Sequence, residues 1–201
     1  MPRMNVAAAR ASPSSTPRCM LDLSKNYFEL FGMSVGYVID IKKVRKRYRD
    51  LQRVVHPDRY VNATDYEQRL AIQGAAYINE AYDTIKDPLR RAQYLLLLHG
   101  LDFDPDTETT TDTGFLMEQL ELREELSEIP LQADPLRAAS AFMDRVSTMY
   151  NRLISSMAID FEMPDEKQLQ VAREKVRKMQ FLKKLHTEAQ TVEGRLEEEM
   201  L

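Results

Sequence analysis

Apolar side chains recur along this chain at spacings of three and four, and strict polar–apolar alternation is absent. The spacing places side chains on one face of a helix, while the missing alternation argues against strands. Asp40 precedes a stripe of Ile41, Val44, Tyr48, Leu51 and Val55, the signature of a capped amphipathic helix. That helix stops before Pro57, because proline lacks a backbone donor and restricts the residue before it. Thr64 and Glu67 make a capping-box pattern. They open a helix whose buried stripe is Leu70, Ile78, Ala81, Tyr82 and Ile85. Asp87-Pro88 then supplies a cap followed by proline at the first helical position, and His99-Gly100 closes that helix with a glycine C-cap. Asn26 to Phe31 predicts a short first helix.

The pattern changes after residue 100. Asp106 to Asp112 is wholly polar, so 101–114 reads as a linker. Three longer helical patterns follow, at about 115–129, 135–159 and 164–199. Asp134-Pro135 repeats the cap-plus-proline start. Pro164, Asp165 and Glu166 put a proline and two carboxylates at the positive end of the last helix. The expected architecture is all-α: an antiparallel helical hairpin with short flanking helices over 25–100, then a three-helix bundle over 115–201. Residues 1–24 stand apart. Arg3, Arg10 and Arg18 occur there among prolines and serines, with no acid before Asp22. The segment reads as a disordered leader or an over-extended start with Met20 as initiator; a transit peptide shares its composition.

Composition narrows the class. Of the 201 residues 43% are hydrophobic and 30% charged, as in a water-soluble globular chain. Only 6 glycines are present, which disfavours a turn-rich β fold. A net charge of -4 points to neither nucleic acid nor membrane. Cys19 is the only cysteine, which excludes an intramolecular disulfide and a Cys-rich zinc site. The longest aliphatic run, Leu95 to Leu98, is far short of the roughly 20 residues that span a bilayer.

Two groups of residues carry candidate chemistry. His56-Pro57-Asp58 joins two antiparallel helices, and the helix before it is basic: Lys42, Lys43, Arg45, Lys46, Arg47, Arg49 and Arg53 against Asp50. The apolar stripe occupies one face, so these charges lie toward solvent. Pro57 limits the backbone and lowers the ordering cost of binding, and the cationic helix steers toward an acidic partner. No nucleophile or oxyanion donor accompanies His56 and Asp58, which argues against catalysis. His56, His99 and His186 lack metal spacing, so no metal or cofactor is expected. The acidic C-terminal half and the absence of interleaved aromatics argue against nucleic acid.

The second group lies on the helix at 115–129. At 100° per residue, Phe115, Gln119, Leu122, Leu126 and Ile129 share one side, the expected core. Leu116, Met117, Leu120, Glu121, Glu124 and Glu128 share the other, a small apolar patch beside a carboxylate row. Such a side either packs on the first half of the chain or meets a partner. On the last helix Ala172, Val176, Met179, Leu182, His186 and Ala189 form a stripe, and Phe181 falls off it.

The basic helix, His56-Pro57-Asp58, and a following helix ending near Tyr82-Asp83-Thr84-Ile85-Lys86-Asp87-Pro88 together resemble a J-domain. With Asn26-Tyr27-Phe28-Glu29-Leu30-Phe31-Gly32 before it and Phe115 to Leu126 after it, the chain resembles the HscB family of iron–sulfur assembly co-chaperones over about 26–199. The resemblance implies that His56, Pro57 and Asp58 stimulate the ATPase of an HscA-type chaperone. It also implies that the C-terminal bundle holds an IscU-type scaffold through Leu116, Met117, Leu120 and the neighbouring glutamates, with Phe181 as the aromatic of the last helix. Eukaryotic relatives often carry a cysteine-rich N-terminal module; its absence implies a bacterial-type, cytoplasmic protein over a mitochondrial one. A structural helical adapter without chaperone coupling is the alternative.

Overall fold

The computed structural model describes residues 24–61, 63–101 and 112–199. The expected leader up to residue 23 and the polar stretch 102–111 lie outside the described residues. Among those described, every regular element is helical. They are α1 (Tyr27–Leu30), α2 (Ile41–Val55), a 3-10 turn (Pro57–Tyr60), α3 (Asp65–Lys86), α4 (Pro88–Leu98), α5 (Thr113–Glu128), a second 3-10 turn (Ile129–Leu131), α6 (Pro135–Asp160) and α7 (Glu166–Glu199).

The caps form where the sequence places them. The Asp40 carboxylate accepts from the N–H groups of Lys42 and Lys43 at 3.0 and 3.2 Å. Thr64 and Glu67 close a reciprocal capping box, as do Asn26 and Glu29 at α1. Gly100 ends α4 with φ +78, a left-handed conformation open to glycine at little cost. α5 starts two residues before the expected Phe115, because Asp112 belongs to the helix as its N-cap and accepts from the Phe115 N–H at 3.1 Å. At α7 the Asp165 carboxylate accepts from the Gln168 N–H at 2.7 Å, and the Gln168 side chain accepts from the Asp165 N–H at 3.0 Å.

α2 and α3 pack as a hairpin through Val44, Leu51, Val55, Ile78, Ala81 and Ile85, all buried. α4 turns back over that hairpin and lies against α7. The core does not end there. Met157, Phe161, Ala172, Val176 and Met179, from α6, its following turn and α7, join the same apolar cluster as Phe28, Leu95 and Leu96. Burying a Met, Phe or Val side chain so completely stabilises by ~1.5–3 kcal/mol, so the seam fixes the first half of the chain on the second. A second cluster fills the bundle, with Leu122, Leu126, Ile129, Phe142, Val146, Leu182, Leu185 and Ala189.

Polar contacts reinforce the seam. The Lys183 ammonium donates to Asp87 across it at 2.9 Å, while within the second half Lys178 of α7 meets Asp112 at the start of α5 at 3.1 Å. Tyr37 stacks on Phe161, ring centres 5.9 Å apart, and the buried Arg91 guanidinium lies 4.8 Å from the centre of the Tyr37 ring.

Candidate interaction faces

The His56-Pro57-Asp58 corner is at the free tip of the α2–α3 hairpin. α3 has 22 residues. At 1.5 Å per residue its far end, where the chain meets α7, lies about 33 Å away. His56 and Asp58 keep 57% and 85% of their side-chain surface exposed, so the corner is open to another protein. The sequence places a proline-limited connection between two helices there, and the chain forms it as a 3-10 turn with Pro57 in its first position. The turn holds the tripeptide through its own bonds. Arg59 N–H donates to the His56 carbonyl at 3.0 Å, and Asp58 N–H donates to His56 Nδ1 at 3.3 Å. The Asp58 carboxylate also approaches His56 Nδ1, at 3.5 Å, so this side of the ring faces its own turn.

Two residues that sequence reasoning missed complete the corner. The Arg59 guanidinium donates to the Arg53 carbonyl at 3.2 Å, and the Tyr60 hydroxyl donates to the Val54 carbonyl at 3.2 Å. Both carbonyls belong to the last turn of α2, which has no helical partners for them. The signal was available in principle, since a helix ending at proline leaves acceptors that nearby donors must meet.

Lys42, Lys43, Arg45, Lys46, Arg47, Arg49 and Arg53 are all exposed along α2. Acid compensation is local: Asp40 lies 3.7 Å from Lys43, and Asp50 lies 3.6 Å from Arg53. Hydrogen bonding from the Lys43 N–H, then from Lys42 and the Lys43 ammonium, holds the Asp40 carboxyl below its ordinary range. The cap thus stays charged and orders the start of the helix.

The second face belongs to α5. Phe115, Leu122 and Leu126 are buried, while Leu116, Met117 and Leu120 keep 47, 65 and 59% of their surface. This apolar group does not pack on the first half of the chain. Glu121, Glu124 and Glu128 flank it, all exposed, whereas Glu125 pairs with Arg145 of α6. Phe181 sits half-buried at the α5–α7 seam. Its ring meets Phe115 edge-on at 5.8 Å, and the Arg123 guanidinium lies 5.6 Å from its centre. It supports the inner margin of the face and does not stand on it as openly as Met117.

The two faces are distinct in chemistry: one cationic and proline-stiffened, one apolar with carboxylates. Among the described residues no group of three His, Cys, Asp or Glu side chains is placed to hold a metal. No helix among them is long and apolar enough to cross a membrane.

Comparison with known proteins matches two families to successive parts of the chain. Residues 26–94 match the DnaJ domain family, and residues 111–190 match the HSCB C-terminal oligomerisation domain. A protein named co-chaperone protein HscB homolog, from Vibrio atlanticus (strain LGP32), is 44% identical over 171 residues, 85% of this chain and 98% of the relative. The solved structure of chaperone HscB from Vibrio cholerae has a TM-score of 0.75 at 38% identity, covering 86% of this chain and 99% of that one. The crystal structure of human co-chaperone protein HscB has a TM-score of 0.78 at 26% identity, covering 93% of each chain.

Proposed function

The chain belongs to the HscB family of J-domain co-chaperones, and on that premise we propose that it stimulates the ATPase of an HscA-type chaperone while delivering an IscU-type scaffold during iron–sulfur cluster assembly. The observation that carries the reading is the exposed His56-Pro57-Asp58 corner on a cationic helix, about 33 Å from the seam. A chaperone can reach it without displacing any other part of the described chain. His56, Pro57 and Asp58 make the stimulating contact, and Lys42, Lys43, Arg45, Lys46, Arg47, Arg49 and Arg53 steer the acidic partner in. Leu116, Met117 and Leu120 bury against the client, Glu121, Glu124 and Glu128 meet its basic groups, and Phe181 backs the patch. The chain itself turns over no substrate and needs no cofactor. Its place of work, by its bacterial relatives, is the cytoplasm.

The test is the ATPase rate of a purified HscA-type chaperone with this chain and the scaffold added separately and together. The co-chaperone reading expects each addition to raise the rate and the pair to exceed their sum. A structural adapter would leave the rate untouched in every combination, and that result would end the proposal.

A further inference from the structure

The outer stripe of α5 continues past the end of the helix. Ile129 to Leu131 form the second 3-10 turn, with Pro130 inside it and the Gln132 N–H donating to the Ile129 carbonyl at 3.1 Å. Ile129 is buried and pins this turn to the bundle core. Leu131 keeps 84% of its surface, more than any other large apolar residue among those described. A lone exposed leucine needs no explanation, but this one has a fixed direction. It stands two positions beyond Ile129, a rotation of about 200° at α-helical spacing or about 240° at 3-10 spacing. Either value carries it to the far side from the core, in line with Met117, Leu120, Glu124 and Glu128.

The outward side chains therefore run in an order: apolar first, through Met117 and Leu120, then acidic, through Glu124 and Glu128, and apolar again at Leu131. From Met117 to Leu131 the row spans roughly 20 Å. Leu131 belongs to neither apolar cluster of the fold. Pro130 restricts the backbone beside it, so little ordering remains to be done when a partner covers it. On the reading of α5 as the client face, we propose that Leu131 is a second apolar anchor for the scaffold, closing the carboxylate row from its far end. The partner surface that fits this row has a cationic strip between two apolar patches. The central carboxylates select the charge, and the apolar ends set how long the complex lasts.

The test is a calorimetric titration of the full chain with a purified IscU-type scaffold. Leu131→Ser is expected to weaken binding about tenfold, the low end of what burying a leucine is worth. Its melting temperature should stay near that of the native chain, because the side chain lies outside the core. Leu131→Met restores an adaptable apolar group and is expected to bind like the native chain. Raising the salt should leave the ratio of native to Leu131→Ser affinity unchanged, since apolar burial is not screened, whereas the same ratio for Glu124→Gln should shrink. The variant with Leu116, Met117 and Leu120 all truncated to Ala is the control. Lost affinity in that variant with native affinity in Leu131→Ser overturns the second anchor and keeps α5 as the client face. Native affinity in both overturns the two together. A Leu131→Met variant as weak as Leu131→Ser also overturns the anchor, because the position would then act through the conformation of the turn.

Discussion

At the scale of single residues, the proposed chaperone contact rests on a few side chains whose neighbours hold them still. His56 is fixed from within its own turn, because its carbonyl and its Nδ1 both accept backbone N–H groups at 3.0 and 3.3 Å. What the ring offers a partner is therefore its Nε2 edge, in an orientation set before contact, so little ordering remains to be done on binding. His56→Gln keeps a polar side chain but removes the ring. The variant is expected to lose ATPase stimulation while its affinity for the scaffold stays unchanged, since α5 lies in the other half of the chain. A steady-state ATPase assay beside a calorimetric titration of the scaffold reads both; a variant that stimulates as well as the native chain would show that this corner is not the contact. The tripeptide and its basic helix were legible in the sequence. The roles of Arg59 and Tyr60 were not, because they answer carbonyls that become acceptors only once α2 has ended.

At the scale of elements, periodicity assigned most buried faces and failed where a helix serves two neighbours. α2 carries one apolar stripe, and Val44, Leu51 and Val55 are buried as expected. The 34-residue α7 packs against both α4 and α6. Its buried face is correspondingly broad and takes in Leu185, where the predicted stripe runs through His186, which is only half-buried. α5 shows the opposite case, a helix with apolar residues on both sides and only one side used by its own fold. Leu116, Met117 and Leu120 are the unused side, so truncating all three to Ala is expected to leave the melting temperature near that of the native chain. If the patch is the client face, the loss of scaffold affinity should be roughly 1–3 kcal/mol for each truncation that strikes a hot spot. Phe181→Ala is a poorer probe, since its contact with Phe115 belongs to the fold as well. A triple variant with native helicity and native affinity would dismiss this face.

At the scale of the whole molecule, the seam is the feature that sequence alone left open. Ala172, Val176 and Met179 read as an apolar stripe on the last helix, and periodicity reports that a face is buried without reporting what covers it. Here the cover is the J-domain, and the cluster runs through both halves. Asp87 sits at the centre of the polar part of that seam, ending α3, capping α4 and meeting Lys183 of α7. Burial alone would push its carboxyl up; the Arg90 N–H, the Lys183 ammonium and the Leu89 N–H outweigh burial and hold it below its ordinary value of 3.8. A depressed carboxyl stabilises the fold fully above that ordinary value and loses its contribution as pH falls through the lower, folded one. Lys183→Met removes one of the depressing partners and keeps the aliphatic bulk. An exposed-to-half-buried pair contributes about 0–1 kcal/mol, which for a chain of this size is at most about 2–4 °C of melting temperature. The variant should therefore melt slightly lower than the native chain at neutral pH, and the gap should close as the pH drops below the carboxylate range, where Asp87 is protonated in both. A gap that persists unchanged in acid would mean that Lys183 acts through packing and that the Asp87 charge does not hold the two halves together.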